Sequence, residues 1–404
     1  MTETNQIPPG ALDGIRVVDL TTVLMGPLST RMLGDHGADV VRIETAGGDS
    51  TRSSLPSRHE GMSGFALNLQ RNKRSLVLDL KSEAGMEVLW RLLGTADAIV
   101  TNMRRGALNR LGLGPDDVRS RLPGIIYCGA NGFGSGGRRR DEAAYDDAIQ
   151  AASGLAGVVA QARGGTPDYV PAVIADKVVG LHIVQAVMAA LIHKLRTGEG
   201  QAIEVPMFET MVAFNLIEHH RGAVFDPPLG PFGYDRLMSP HRHPFQTADG
   251  WMCLLPYTTG NWQDFLAFIG RNDLLTDERF LTHNARIANI DTLYGLVDEY
   301  AASRTTAEWL EFCDRVSIPA AKVLDLAEVD DDPHLQDVGL IEIIEHPTEG
   351  RYRVVHDAVK MSESPTALRR HAPRLGEHSN EILAELGYDE AARAELATKG
   401  AMGT

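Results

Sequence analysis

GIRVVDLTTVLMGPLSTRMLGDHGADVVRIE, residues 14–44, decides the fold. GIRVVDL (14–20) is a short apolar run with the length and composition of a buried strand. Gly26-Pro27 follows, and proline, with its fixed φ and missing N–H, can open a helix that runs through Gly34. ADVVRIE (38–44) is a second strand. The sequence of strand, helix and strand is a β-α-β unit, which implies adjacent parallel strands and a right-handed crossover.

The same alternation continues outward. RSLVLDL (74–80) reads as a strand, and Ser82 caps a helix to about Leu93. DAIVTN (97–102) is a strand leading into a short basic helix, Arg104 to Leu111. Pro115-Asp116-Asp117 opens another short helix, and GIIYCGA (124–130) is a strand. Residues 45–70, rich in Gly, Ser and Arg, read as an irregular excursion. Further on, PAVIADKVVGLHIVQAVMAALIHKLRTGEGQAIEVP (171–206) reads as loop, long helix, Gly turn and strand. The helix covers Lys177 to Arg196 and stops at Gly198. Met207 to His220 is a further helix. The pattern predicts an α/β domain with a mainly parallel sheet.

Residues 221–250 are rich in proline and glycine and lack periodicity, as a connection between domains would be. WMCLLPY (251–257) then opens a smaller α+β domain, with helical patterns at Trp262–Ile269, Ile287–Ala302 and Thr306–Val316. LIEIIEH (340–346) and RYRVVH (351–356) form an antiparallel pair, and a last helix starts near Ser379.

With 39 basic and 54 acidic residues, the net charge is −15, which argues against a nucleic-acid or anionic-membrane partner. The N-terminus, MTETNQIPPG, lacks the basic and apolar regions of a signal peptide. The long helix is broken by Lys177, His182, Gln185, His193 and Lys194, and reads as a buried core helix rather than a membrane span. Cys128, Cys253 and Cys313 stand far apart without a CxxC pair, which fits a reducing, cytoplasmic setting.

Several chemistries find no support. There is no G-x-S-x-G elbow and no G-x-x-x-x-G-K-[ST] phosphate loop. Gly132–Gly137 matches G-x-G-x-x-G after a strand. The following Arg138-Arg139-Arg140-Asp141-Glu142 is no clean helix start, and no acidic residue closes a second strand about twenty positions on. A loop near an active site is the better reading. Glu218-His219-His220 and His241-x-His243 lack H-E-x-x-H or facial-triad spacing, so no metal site is expected. Basic residues are more telling: Asn72-Lys73-Arg74, Arg104-Arg105, Arg110 and Arg138–Arg140 fall near strand ends, where open α/β sheets bind anionic ligands. Asp176 stands before the long helix. Local sequence reads it as an N-cap, among the commonest places for Asp; the competing reading is a catalytic carboxylate.

Taken together these motifs resemble the family III CoA-transferases, the group that includes formyl-CoA and carnitine CoA-transferases. The resemblance runs through residues 14–44, NKRSLVLDLKSEAG, ADAIVTNMRRGALNRLGL, AAYDDAIQAASG, IADKVVGLH, HKLRTGEGQAIEVPMFE and APRLGEHSNEILAELGY, nearly the whole chain. It implies a large Rossmann-like domain built from both chain ends, here 1–220 with 330–404, a small domain at 221–329, and two subunits interlocked as a homodimer. It also implies an acyl-CoA thioester donor, a small carboxylic acid acceptor and a covalent aspartyl intermediate, with no permanently bound cofactor. The family's nucleophile falls on Asp176, with Tyr145 and Asp146 as a Tyr–acid pair near the reacting centre. Its CoA-contacting positions fall on Val23, Leu24, Asn72, Lys73, Arg74, Asn102, Arg110 and Leu111. The Gly132–Gly137 loop is a candidate source of oxyanion donors.

Two positions depart from formyl-CoA transferases: Leu24 replaces a Gln, and Tyr257–Asn261 replaces a run of glycines. Both argue for a less polar or differently shaped acid than formate or oxalate. The alternatives are an α-methylacyl-CoA racemase on the same fold, a CoA-binding protein that has lost catalysis, and a dinucleotide oxidoreductase. Tyr145 stands where racemases carry His, which argues for transfer, and the retained Asp176 argues against lost catalysis.

Overall fold

The computed structural model describes residues 7–403; the segment read above as lacking a signal peptide begins outside them. Six strands form one parallel sheet: β1 (Arg16–Leu20), β2 (Asp39–Glu44), β3 (Lys73–Val77), β4 (Ala98–Thr101), β5 (Ile126–Asn131) and β6 (Ala202–Pro206). Their order is β3-β2-β1-β4-β5-β6, every neighbouring pair parallel. This is the doubly wound Rossmann arrangement, whose strand order reverses between β1 and β4. Val17, Val18, Val41, Ile99, Val100 and Ile126 are fully or almost fully buried, as strands covered on both faces require.

The chain divides into two compact units. One comprises residues 1–152, 172–211 and 333–404; the other comprises 153–171 and 212–332. Relative to the expected boundaries, the second unit also takes residues 153–171 and 212–220, with the return near 333. The first unit adds an antiparallel ribbon, β10 (Ile341–His346) with β11 (Gly350–Val355). The second holds a three-stranded antiparallel sheet of β7 (Phe245–Gln246), β8 (Trp251–Leu254) and β9 (Ala320–Lys322). Its core is aromatic: Phe268 stacks on Phe312 with centroids 3.7 Å apart, and buried Trp309 donates its indole N–H to the Ala301 carbonyl at 2.9 Å. The indole thus buries its large apolar surface without losing a hydrogen bond.

Residues 45–70 are more regular than composition suggested. Asp49 caps a 3-10 turn at Ser50–Ser53, and Ser63 caps a helix at Gly64–Gln70. Tyr257–Asn261 is the start of a helix, Thr259–Phe268, closed by a Thr258–Asn261 capping box.

The long helix is Ile174–Thr197, ending at Gly198 with φ 80°, a left-handed stop that glycine adopts without a Cβ penalty. By length and composition alone it could cross a membrane. It packs against the helix Met25–Asp35 through a buried face that includes Val179, Ile183, Val187 and Leu191. Leu181, Ile192 and Leu195 on its other side are exposed. The expectation of a core helix is therefore corrected: only one face is core.

Candidate active site

Open parallel sheets bind ligands beyond their carboxyl ends at the strand-order reversal. A 540 Å³ cavity lies there, walled by Thr22–Met25 after β1, Asn102–Ala107 after β4, Ala130–Gly132 at β5, Met207 after β6, and Asp141–Tyr145. Asp176 also lines it. A second cavity, of 470 Å³, shares Thr22, Met103, Ala107 and Arg110 with the first, so the two adjoin. It continues past the ends of β2 and β3, with Ile43, Leu78, Leu80 and Leu111 as apolar wall and Lys81 at its edge.

The loop after β1 is held in an uncommon shape. Val23 has φ 67°, a left-handed conformation that a β-branched residue resists. Its N–H donates to Asp49 Oδ2 at 2.9 Å, while Asn102 grips the preceding residue from both sides. Asn102 Oδ1 accepts the Thr22 N–H at 2.9 Å and its Nδ2 donates to the Thr22 carbonyl at 2.8 Å. Asn102 therefore ties the loops after β1 and β4 together. Strain of this kind persists only where surrounding bonds over-determine it, and it concentrates at functional sites.

Asp176 is not the N-cap. The helix begins at Ile174 with Val173 before it, which puts Asp176 in the first turn. Its backbone N–H donates to Asp146 Oδ2 at 3.0 Å, and Asp146 Oδ1 accepts from Gln150 Nε2 at 2.6 Å. The capping carboxylate is thus Asp146, delivered from the helix Asp146–Ala152. Asp176 is thus free of the capping task and stands on the cavity wall. Burial, and then the neighbouring Asp146, push the Asp176 carboxyl up to about 7, although a helix N-terminus favours the anion. Tyr145 is 68% exposed and lines the cavity. Asp146 is buried.

The structure brings together Val23, Leu24, Asn102, Arg110, Tyr145 and Asp176 on the first cavity, and Arg110 and Leu111 on the second. It does not bring Asn72, Lys73 and Arg74 there. These residues sit at the amino end of β3, the wrong end of the sheet for a ligand. Lys73 is wholly buried, its Nζ 3.0 Å from Asp19 Oδ2 and 2.8 Å from the Pro27 carbonyl. Burial outweighs that pairing and pushes the Lys73 amine down to about 8. Burial would raise the Asp19 carboxyl, but Lys73, Arg42, Thr21 and Thr30 together hold it well below the usual range. Arg74 is bound by Asp39, Glu381 and Glu385. The Asn72 amide bridges Asp35 to the backbone of Ala367, Arg369 and Arg370. These side chains build the fold. The residues that sequence reading missed are Leu78, Leu80 and Lys81, at the carboxyl end of the same strand. That end was the available signal.

The glycine loop divides in function. Gly132 lines the cavity, and a Cβ there would lie 2.4 Å from the Cβ of Ala144, so only glycine lets the segment carrying Tyr145 and Asp146 approach. Two of the loop's N–H groups are already committed: Gly134 donates to Glu209 Oε1 at 2.9 Å and Ser135 to Glu204 Oε1 at 2.7 Å. The expected oxyanion role does not fit those two. Arg105 is fixed by Glu204 and the Phe133 carbonyl, whereas Arg104 and Arg110 have no carboxylate partner among the described residues.

A switch-point cavity adjoined by a second, more apolar one and lined by a carboxyl group of raised pKa is the arrangement of a ligand-binding site. The profile of CoA-transferase family III matches residues 12–379. The chain is 33% identical over 390 residues to a succinate–glutarate CoA-transferase of Agrobacterium fabrum, covering 95% of this chain and 96% of that one. It is 31% identical to the human succinyl-CoA:glutarate CoA-transferase, covering 98% and 91%. Its fold is similar to the crystal structure of a CaiB/BaiF family protein from Brucella suis, with TM-score 0.77, 28% identity, and 94% and 100% of the two chains covered. The chain belongs to CoA-transferase family III.

Proposed function

We propose that this protein moves CoA from an acyl-CoA donor to a free dicarboxylic acid through a covalent intermediate on Asp176. The observation that carries the reading is Asp176 itself, on the wall of the switch-point cavity, with the second cavity adjoining through Thr22, Met103, Ala107 and Arg110. The adenine end of CoA would lie along the apolar wall of the second cavity, with Lys81 and Arg110 facing its phosphates. The thioester would then reach Asp176.

The ionised Asp176 attacks the thioester carbonyl, forming a mixed anhydride and expelling CoA thiolate. The thiolate attacks the aspartyl carbonyl, leaving CoA as a thioester on Asp176 and releasing the donor's acid. The acceptor carboxylate attacks this thioester, expelling CoA thiolate again, and the thiolate takes the acceptor's acyl group from the new anhydride. Asp176 is regenerated with no net proton or electron change. Covalent catalysis of this kind replaces one difficult exchange with easier acyl transfers. Asp146 acts as a positioning residue through the Asp176 N–H, and Tyr145 is assigned to the acyl group at the cavity wall.

Two relatives are named for succinate or succinyl-CoA and glutarate. Acids of that class carry a second carboxylate, and Arg104 on the cavity wall, without a carboxylate partner among the described residues, is a cation suited to it. The uncovered apolar face of the long helix, with Leu181, Ile192 and Leu195, supports a homodimer in which a second copy shields it. The cytoplasm, where acyl-CoA pools are accessible, is the compartment assigned.

The test is product formation from succinyl-CoA and glutarate, followed chromatographically. Glutaryl-CoA made by the wild type and not by Asp176→Ala supports the proposal. Full activity in Asp176→Ala contradicts it, as does α-deuterium exchange of a 2-methylacyl-CoA without any acceptor, which would indicate a racemase.

A further inference from the structure

The second unit carries a side-chain cluster that acyl transfer does not use. His241 and His243 lie on the segment leading into β7, and Asp298 lies on the helix Ile290–Ala301. One donor atom from each falls within 4.8 Å of the other two. His241 Nδ1 stands 3.5 Å from Asp298 Oδ2, and His243 Nε2 stands 3.6 Å from the same oxygen. These separations are too long for hydrogen bonds.

The tautomer of His243 sharpens the point. Its Nδ1 lies 2.8 Å from the Pro244 carbonyl oxygen, which can only accept, so Nδ1 carries the proton. With Nδ1–H anchored there, the ring's other nitrogen, Nε2, is the atom directed at Asp298. Anchoring the far N–H on a backbone carbonyl is also how proteins orient metal-binding imidazoles. Metal–nitrogen and metal–oxygen bonds of about 2.1 Å in a tetrahedron set neighbouring ligand atoms about 3.4 Å apart. The two measured separations are within a few tenths of an ångström of that.

We propose that His241, His243 and Asp298 bind a first-row divalent metal ion of the zinc type, with at least one coordination position left to solvent. Two imidazoles and one carboxylate suit such ions better than calcium or magnesium, which prefer all-oxygen shells. All three side chains are partly solvent exposed, so the ion has an entry path. The His241-x-His243 pair looked incomplete in sequence because its third ligand arrives from a later helix.

The test uses the full chain, free of any affinity tag and dialysed against chelator. Zinc is titrated by calorimetry, and cobalt(II) is followed by its visible absorption. Saturation at one equivalent, with the intense cobalt band of a four- or five-coordinate site and a raised unfolding temperature, is the expected result. His243→Gln and Asp298→Asn should each weaken zinc binding at least tenfold, while His334→Gln leaves it unchanged. Unchanged thermal unfolding of the metal-free variants separates lost binding from lost fold. Absence of saturable binding, or one-equivalent binding that neither substitution weakens, overturns the proposal.

Discussion

Asp146 Oδ2 accepts the backbone N–H of Asp176 at 3.0 Å, so a carboxylate thirty positions upstream caps the helix that carries the proposed nucleophile. The two acids share one helix end but not one task. Asp146 spends both oxygens on hydrogen bonds, and Asp176 keeps its own for the cavity.

Activity should therefore depend on pH through Asp176. In the proposed mechanism only the ionised form attacks, and the carboxyl is pushed up to about 7 by burial and then by Asp146. The donor kcat/KM is expected to rise with pH along a limb of apparent pKa about 7. In Asp146→Asn the like charge is gone while an amide oxygen can still accept the N–H. The limb should move to lower pH but stay above the ordinary carboxyl range, because burial is the larger cause. Initial-rate profiles with succinyl-CoA read both shifts.

The same carboxylate should cost stability. The unfolded Asp176 carboxyl titrates near its usual 3.8 and the folded one near 7, so its contribution is full below pH 4 and is lost as pH rises through 7. Asp176→Asn is expected to be more stable than the wild type at pH 8, by about 1–3 kcal/mol after allowance for solvent screening, with the gap closing toward pH 4. Denaturant midpoints at the two pH values measure it.

Lys73 and Lys81, at opposite ends of β3, should separate cleanly. Lys73→Met leaves Asp19 buried without its ammonium partner and should lower stability by about 3–5 kcal/mol. Lys81→Ala removes an exposed cation at the second cavity, so it should raise KM for acyl-CoA several-fold and leave Tm unchanged. Thermal melts and steady-state kinetics on the pair check this.

Asn102→Ala should release the loop after β1. Two hydrogen bonds to Thr22 are lost, and the Val23 N–H bond to Asp49 remains to hold the positive φ. The expected outcome is a stability loss of about 1 kcal/mol with a larger fall in kcat/KM, since the loop walls the cavity. Asn102→Asp retains an acceptor for the Thr22 N–H but loses the donor to its carbonyl, and should fall between.

Much of the parallel sheet was legible in sequence because doubly buried strands are continuous apolar runs, such as RVVDL in β1 and AIVT in β4. Asp176 stood out through the family resemblance of IADKVVGLH, since its local position read only as a cap. Its own cap was not legible, since Asp146 reaches it through tertiary packing that no local pattern records. The basic cluster at Asn72–Arg74 misled for a related reason. Sequence shows that it adjoins a strand, but whether those charges meet a ligand or buried acids depends on the facing residues Asp19, Asp39 and Glu385. The exposed side of Ile174–Thr197 was hidden too: a helix apolar nearly all round gives no sign of which face the core takes.

The most direct measurement is intact-protein and peptide mass spectrometry of the enzyme incubated with succinyl-CoA without acceptor. The account predicts a CoA thioester on the peptide containing Asp176, discharged by added glutarate and absent in Asp176→Ala. An actively transferring enzyme that carries no adduct, or carries it on another residue, would contradict it.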